Sequence, residues 1–443
     1  MWLAEAGGLR VLFDPLLAPT HHGGVFDVTP ARQVDDEALR PDFVFVSHRH
    51  PDHFDVPSLH ALAQLDPDTV VVTSDALVVW AANALGFSTV REVPVGHRIE
   101  LDGLTLVTTP SLDPREWGAM VAADGAVVWN QVDTVFRDAA AVRRITTAGL
   151  DGVGESKVTL ALARWQPMLE IAAALGRPTQ FPHEDYAALL LQLAAVEATA
   201  LVPSACGGSH VGPYRWLDRH VFPLTRARFL SDFAALGTQT SGYEGGPGAC
   251  FDVRDGTVTV AGVSPLVAVD TSADDPRVFE PLSTPALVDP GVGTASVEAM
   301  RETVQHWIER RLCRALEQEC GALSSGPLRF VVSVVWPTCV DAFTVTVQGG
   351  VARCVAGATS EWDALNEVAG SMLWEVLEGH RNWGDVLLAG CLRARTRAYE
   401  VTQEGLAPIP MAEIFLYYAL SYDSSVERAV RWEVGRVLRS ASR

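Results

Sequence analysis

Residues 43–55 read FVFVSHRHPDHFD, and no other stretch limits the possible folds so tightly. Phe43, Val44, Phe45 and Val46 form an unbroken apolar run with β-branched residues in it, which reads as a strand buried on both faces. Directly after it come His48, His50, Asp52 and His53, three imidazoles and a carboxylate within six residues. A core cannot hold those groups unpaired, and a solvated loop gains nothing from them. Metal binding accounts for both facts. Two histidines two apart at a strand end can turn their rings to one side and grip one ion, while Asp52 and His53 reach a second ion beside it. Twelve histidines spread over 443 residues seldom gather in this way by chance.

The rest of the first half has a matching texture. The runs 9–15, 69–73, 104–110, 126–133 and 198–204 read as further buried strands, and 55–65 and 75–86 as helices between them. Strands alternating with helices predict helices packed on sheets. From about Pro265 to Gly293 the chain is rich in Pro, Asp, Ser and Thr without clear periodicity, and reads as a linker. Residues 296–320 then place Met300, Val304, Ile308, Leu312 and Leu316 on one stripe of an amphipathic helix. Strands are expected at 329–336 and 342–350, and mostly helix over 361–401. The expected domains are residues 1–264, a linker at 265–295, and residues 296–443.

Bulk properties exclude some partners. A net charge of -20 argues against nucleic acid or an anionic membrane, since both need a basic face. No apolar run reaches the roughly 18 residues of a membrane span. The opening MWLAEAGGLRVLFDP lacks the basic-then-apolar order of a signal peptide, so none is expected. The seven cysteines are odd in number and scattered, without a CxxC pair. They argue against a disulfide framework or a zinc knuckle, and a reducing cytoplasm is the expected compartment.

The motif VSHRHPDH, preceded by VLFDP, resembles the metallo-β-lactamase superfamily over roughly residues 9–235. The resemblance implies a four-layer αββα sandwich with two metals at one edge of the sheets and Asp14 as a structural first-strand aspartate. It also implies a bridging aspartate after a middle strand, a place that Asp133 in VVWNQVDT can fill. The competing reading of Asp133 is a turn or capping residue. On the metal reading, Asp52 and Asp133 are the catalytic carboxylates. Lactonase-like members carry a TPAxH pattern whose His completes the first metal site. This chain has TTPSLDPREWG: Thr109 and Pro110 match, and Asp113 stands where the His belongs. As a ligand, Asp113 makes a mixed His and carboxylate shell, the habit of non-haem iron, although zinc tolerates it. Arg115 or Glu116 would then hold it in place. Otherwise Asp113 is a turn residue before Pro114 and one ligand is missing. The family's last histidine maps to His210 in LVPSACGGSHVGPY, with His183 in FPHEDY in reserve. His21, His22 and His220 lack strand-end context.

Residues 329–401 resemble the sterol-carrier-protein-2 family, in two strands followed by LWEVLEGHRNWGDVLLAGCLR. That implies an apolar tunnel for acyl chains, sterols or acyl-CoA thioesters. The plainer reading is an α+β lid or dimerisation module, which leaves a homodimer open. Asp113 and the lipid-carrier-like tail together resemble the diiron monooxygenases with a metallo-β-lactamase fold from bacterial natural-product pathways, including those acting on diterpenoid CoA thioesters. That resemblance implies two irons, O2, and a bulky apolar substrate, terpenoid or acyl, free or CoA-linked. An external reductase is also implied, because no flavin or iron–sulfur motif occurs in the chain. The alternative is a dinuclear zinc hydrolase of a lactone, thioester or phosphodiester, in which a metal-bound water ionises near about pH 7. HxHxDH alone fits both. A lipid-binding protein with a degenerate metal site is the third reading.

Overall fold

The computed structural model describes residues 1–101, 103–166, 169–205, 208–218, 224–270, 284–320, 326–403, 405–408 and 421–441. Two sheets lie face to face in the first half of the chain. One has the order Trp2–Ala6, Leu9–Phe13, Phe43–Val46, Val70–Thr73, Thr89–Glu92, the last four strands parallel. The other runs Ser241–Gly242, Ala200–Pro203, Leu160–Ala163, Ala126–Asn130, Trp117–Ala123, Leu104–Pro110, Arg98–Leu101.

Alternation along each strand divides its side chains between two cores. Val11, Phe13, Phe43 and Phe45 meet Ile99, Leu104, Leu106, Ala119 and Val121 of the opposite sheet. Leu12, Val44 and Val46 point the other way, onto helices Val56–Leu65 and Ala76–Leu85. On the far side, Val107, Met120, Val127, Trp129 and Leu201 pack against helices Ala139–Val153, His183–Ala194 and Arg226–Ala234. The layers are therefore helix, sheet, sheet, helix. Carboxylate caps start the two helices nearest the histidine motif: Asp55 accepts from Ser58 N at 2.9 Å and Asp75 from Leu77 N at 2.8 Å.

In the second half, helix Val297–Trp307 passes through a π turn at Ile308–Leu312 into Cys313–Cys320. The expected stripe, Met300, Val304, Ile308, Leu312 and Leu316, is buried. It covers a sheet of order Val351–Ala356, Val340–Gln348, Leu328–Val335, Ala364–Ala369, Leu392–Thr396. The helical expectation for 361–401 needs correcting. Two short helices, Gly370–Glu378 and Trp383–Leu388, lie between strands Ala364–Ala369 and Leu392–Thr396, and a further strand follows at Tyr399–Thr402. The sequence ALNEVA has no strand pattern of its own. Parallel pairing with Leu328–Val335 in mid-sheet makes it one.

The halves are not packed separately. Val25, Phe26, Tyr214 and Leu217 belong to the same core as Trp307, Leu373 and Trp383. The last helix, Tyr422–Ala441, lays Val426, Val430, Val434 and Val437 into the core beneath helices Val56–Leu65 and Ala76–Leu85. Residues 271–283 of the expected linker lie outside the described residues. Among the described residues, no helix is long and apolar enough to cross a membrane.

Candidate metal centre

At the edge of the first sheet, Asp14 follows its strand with a left-handed φ of 46°. Its buried carboxylate accepts from Ser47 N at 2.7 Å and from Ser47 Oγ at 2.9 Å. With that hydroxyl hydrogen given to Asp14, Ser47 Oγ accepts from His48 Nδ1 at 2.9 Å, which leaves the lone pair of His48 on Nε2. Asp14 Oδ2 also accepts from His53 Nδ1 at 3.1 Å. One carboxylate thereby sets the tautomer and orientation of two rings, as outer partners of metal-binding histidines do. Arg49, between the two histidines of the motif, is held away from them by a bidentate pair with Asp75 at 2.7 and 2.9 Å.

His48 Nε2 stands 2.8 Å from His50 Nδ1, and an Asp133 oxygen joins them, all within 4.8 Å of one another. Asp52, His53 and Asp133 form a second such group. There His53 Nε2 lies 2.9 Å from Asp133 Oδ2 and 3.2 Å from Asp52 Oδ2. Asp133 belongs to both groups. It arrives on the loop after Ala126–Asn130, where Val132 takes a φ of 54° and its N–H donates to Asn130 Oδ1 at 3.3 Å.

Burial holds His48 well below the usual imidazole pKa and lowers His50 as well, so both rings are neutral, the form that ligates. Burial also opposes a charge on His53, but Asp52 and Asp133 outweigh it and push its pKa well above the usual value. Asp52 responds in kind: burial opposes its charge, yet His53 holds it well below the carboxylate range. A cation held by this group would take the place of the His53 proton. Burial, then Asp133 and Asp113, push Glu116 up to about 7. Its Oε2 accepts from Ser111 Oγ at 3.4 Å.

Two of the expected ligands stand outside both groups. Asp113 Oδ1 accepts from Arg115 N and Nε at 2.9 Å each, and Oδ2 from Arg115 Nη2 at 2.6 Å. This pairing holds the Asp113 carboxyl below its usual pKa. Asp113 lines an open cavity of about 570 Å³ with Leu112, Pro114, Arg115, Val135 and Asp423. His210 Nδ1 lies 2.7 Å from Asp218 Oδ1, and its Nε2 donates to the Leu388 carbonyl at 3.1 Å. His183 begins a helix on the other outer layer, its ring against Phe181 at 4.8 Å. His220 lies outside the described residues. Sequence reasoning passed over His22, which is buried with Nε2 3.8 Å from Asp52 Oδ1. The only signal was the adjacent pair of histidines before Gly23 and Gly24.

Residues 9–179 match the model of the β-lactamase superfamily domain. Over those residues the chain is similar to that family. No curated protein matches the chain. Among solved structures, an isothiocyanate hydrolase from Delia radicum gut bacteria is 18% identical, with 58% of this chain and 96% of that one covered and a TM-score of 0.40. CmlA, a diiron β-hydroxylase from Streptomyces venezuelae, is 13% identical, with 55% of this chain and 51% of that one covered and a TM-score of 0.34. A metallo hydrolase from Ignicoccus hospitalis is 17% identical, with 59% and 94% covered and a TM-score of 0.36. Hydrolases and a hydroxylase stand together here, and likenesses this distant select neither reaction nor substrate.

Proposed function

We propose that this chain is a dinuclear metalloenzyme, and that it works as a non-haem diiron monooxygenase on a bulky apolar substrate. The donor set fits two divalent cations: His48, His50 and Asp133 for one, Asp52, His53 and Asp133 for the other. The observation that carries iron over zinc is the share of carboxylate around these imidazoles. Asp133 lies in both groups and Asp52 in one. Mixed His and carboxylate shells with open positions suit non-haem iron.

Bound irons would supply the activation of O2, one oxygen atom entering a C–H bond and the other leaving as water, with two electrons and two protons drawn through an external reductase. The chain's own residues hold the rest. Asp14 and Ser47 orient His53 and His48. The cavity bordered by Asp113, Val135 and Asp423 offers the substrate a way in beside the loop of Asp133. Residues 296–443 are the substrate-handling domain in this reading, of sterol-carrier-protein-2 type, joined through 265–295 to a catalytic domain at 1–264. What supports this is the order of elements, a long helix, a five-stranded sheet and two short helices before its last strand, and the resemblance to that family supplies terpenoid or acyl groups, free or CoA-linked, as candidate substrates.

A zinc hydrolase of a lactone, thioester or phosphodiester is the second reading. One observation favours it: Arg115 engages both oxygens of Asp113, which withdraws the carboxylate that first pointed to iron. The two readings separate when metal-stripped, full-length protein is loaded with iron(II) or with zinc. It is then given a panel of diterpenoid and acyl acids and their CoA thioesters. Reductant-dependent O2 uptake by the iron form, with products heavier by one oxygen atom, supports the monooxygenase. Hydrolysis by the zinc form, with no oxygenated product from the iron form, overturns it.

A further inference from the structure

His22 is a buried imidazole that neither ligand group accounts for. Its Nε2 lies 3.8 Å from Asp52 Oδ1. Two atoms that each sit about 2.0–2.2 Å from one ion are separated by roughly 3–4.3 Å, so a single cation can touch both. On the other side of the ring, His22 Nδ1 lies 2.7 Å from His21 Nδ1. One of these nitrogens must donate. When His22 does, the Nε2 that faces Asp52 carries the lone pair, the arrangement of a ligating histidine with an outer partner. His21 is fixed in turn by stacking on Phe26, with centroids 5.1 Å apart and planes 10° apart.

The backbone that presents this ring is unusual. His22 has a φ of 51°, and Gly23 and Gly24 continue at 60° and 82°. L-residues with a side chain seldom adopt that region, and they persist there where the surroundings over-determine it. The surroundings here come from the far half of the chain. Buried Arg381 donates from Nη1 to the His22 carbonyl at 3.3 Å and from Nη2 to the Gly23 carbonyl at 3.1 Å. A Cβ on Gly23 would lie 2.6 Å from Arg381 Nη1, so a side chain there would have to displace the guanidinium. A planar fork bridging two successive carbonyls fixes a turn in a way a lysine ammonium cannot.

We propose that His22 is the last protein ligand of the cation held by Asp52, His53 and Asp133, and that Arg381 is the positioning residue that sets it there. This rests on the two-cation reading given above. His210, the family's usual candidate for the place, is separated from His21 by the ring of Phe26, which stacks on His21 and lies 4.3 Å from His210. Its Nε2 hydrogen is already directed at Leu388. The far half of the chain therefore reaches this ligand through the Arg381 side chain.

The test strips full-length protein with a chelator, dialyses it against Zn2+ alone, counts zinc per chain, and measures both affinities against a chromophoric competitor. Circular dichroism checks the fold of each variant. Wild type is expected to bind two zinc ions. His22→Gln keeps one and weakens the other by at least 100-fold. Arg381→Met weakens that same ion by about 10–100-fold, the range found when an outer partner is lost, and His210→Gln keeps both. If His22→Gln does not fold, Arg381→Met decides. Two zinc ions at wild-type affinity in His22→Gln, or in Arg381→Met, overturn the inference and leave the two-cation reading standing. Loss of that ion from His210→Gln alone does the same. A wild type that binds fewer than two ions overturns both.

Discussion

Asp14 shows how one buried carboxylate can organise a site it does not enter. Asp14→Asn keeps the shape, but one side-chain atom becomes a donor that cannot accept from Ser47 or His53. The affinity of the ion on His53 should fall about 10–100-fold, measured by competition with a chelator; unchanged affinity would remove the orienting role. Asp113 behaves differently. Both its oxygens are on Arg115, so Asp113→Asn should retain both ions. Loss of one ion in that variant would return Asp113 to the ligand set. These residues differ in how legible they were. His48, His50, Asp52 and His53 sit on one loop, so their spacing in the sequence is nearly their spacing in space. Asp113 has a ligand's position in the sequence, and in the structure both its oxygens pair with Arg115, a contact that no spacing rule foresees. His22 meets Asp52 across 30 residues of chain, through a turn that Arg381 holds from the far half of the chain.

Elements with strong patterns were readable and weak ones were not. The runs VLF, FVFV and VVVT are strands because β-branched and aromatic residues suit a pleated, buried surface. Trp117–Ala123, WGAMVAA, was missed: glycine and alanine carry no strand preference, and its place between Leu104–Pro110 and Ala126–Asn130 makes it one. That poverty of side chain has a use. A Cβ on Gly118 would lie 2.6 Å from Thr109 Oγ1 and 2.8 Å from the Asn130 carbonyl, next to the loop that carries Asp133. Gly118→Ala should therefore push the strands apart and cost about 1–3 kcal/mol, read as a lower Tm of the metal-free protein. A Tm equal to wild type would mean the sheet absorbs the methyl.

At the scale of the molecule, a change of texture near Pro265 was legible in the sequence. The shared cores were not, because contacts between distant segments leave no periodicity. Val25, Phe26, Tyr214 and Leu217 pack with the second half, and Tyr422–Ala441 returns to cover the first. A chain cut after Gly293 loses both covers. It should be insoluble, or unfold without cooperativity, when followed by thermal denaturation; a stable fragment with the full-length Tm would show that the halves fold independently. On the proposed reading the intact chain holds two irons, with Asp133 a ligand common to both groups. The most direct measurement is elemental analysis of full-length protein purified without oxygen from cells supplied with both iron and zinc. About two irons per chain, with both lost or weakened in Asp133→Ala, is the predicted result. Two zincs in place of iron, or an Asp133→Ala chain that keeps both ions, would contradict it.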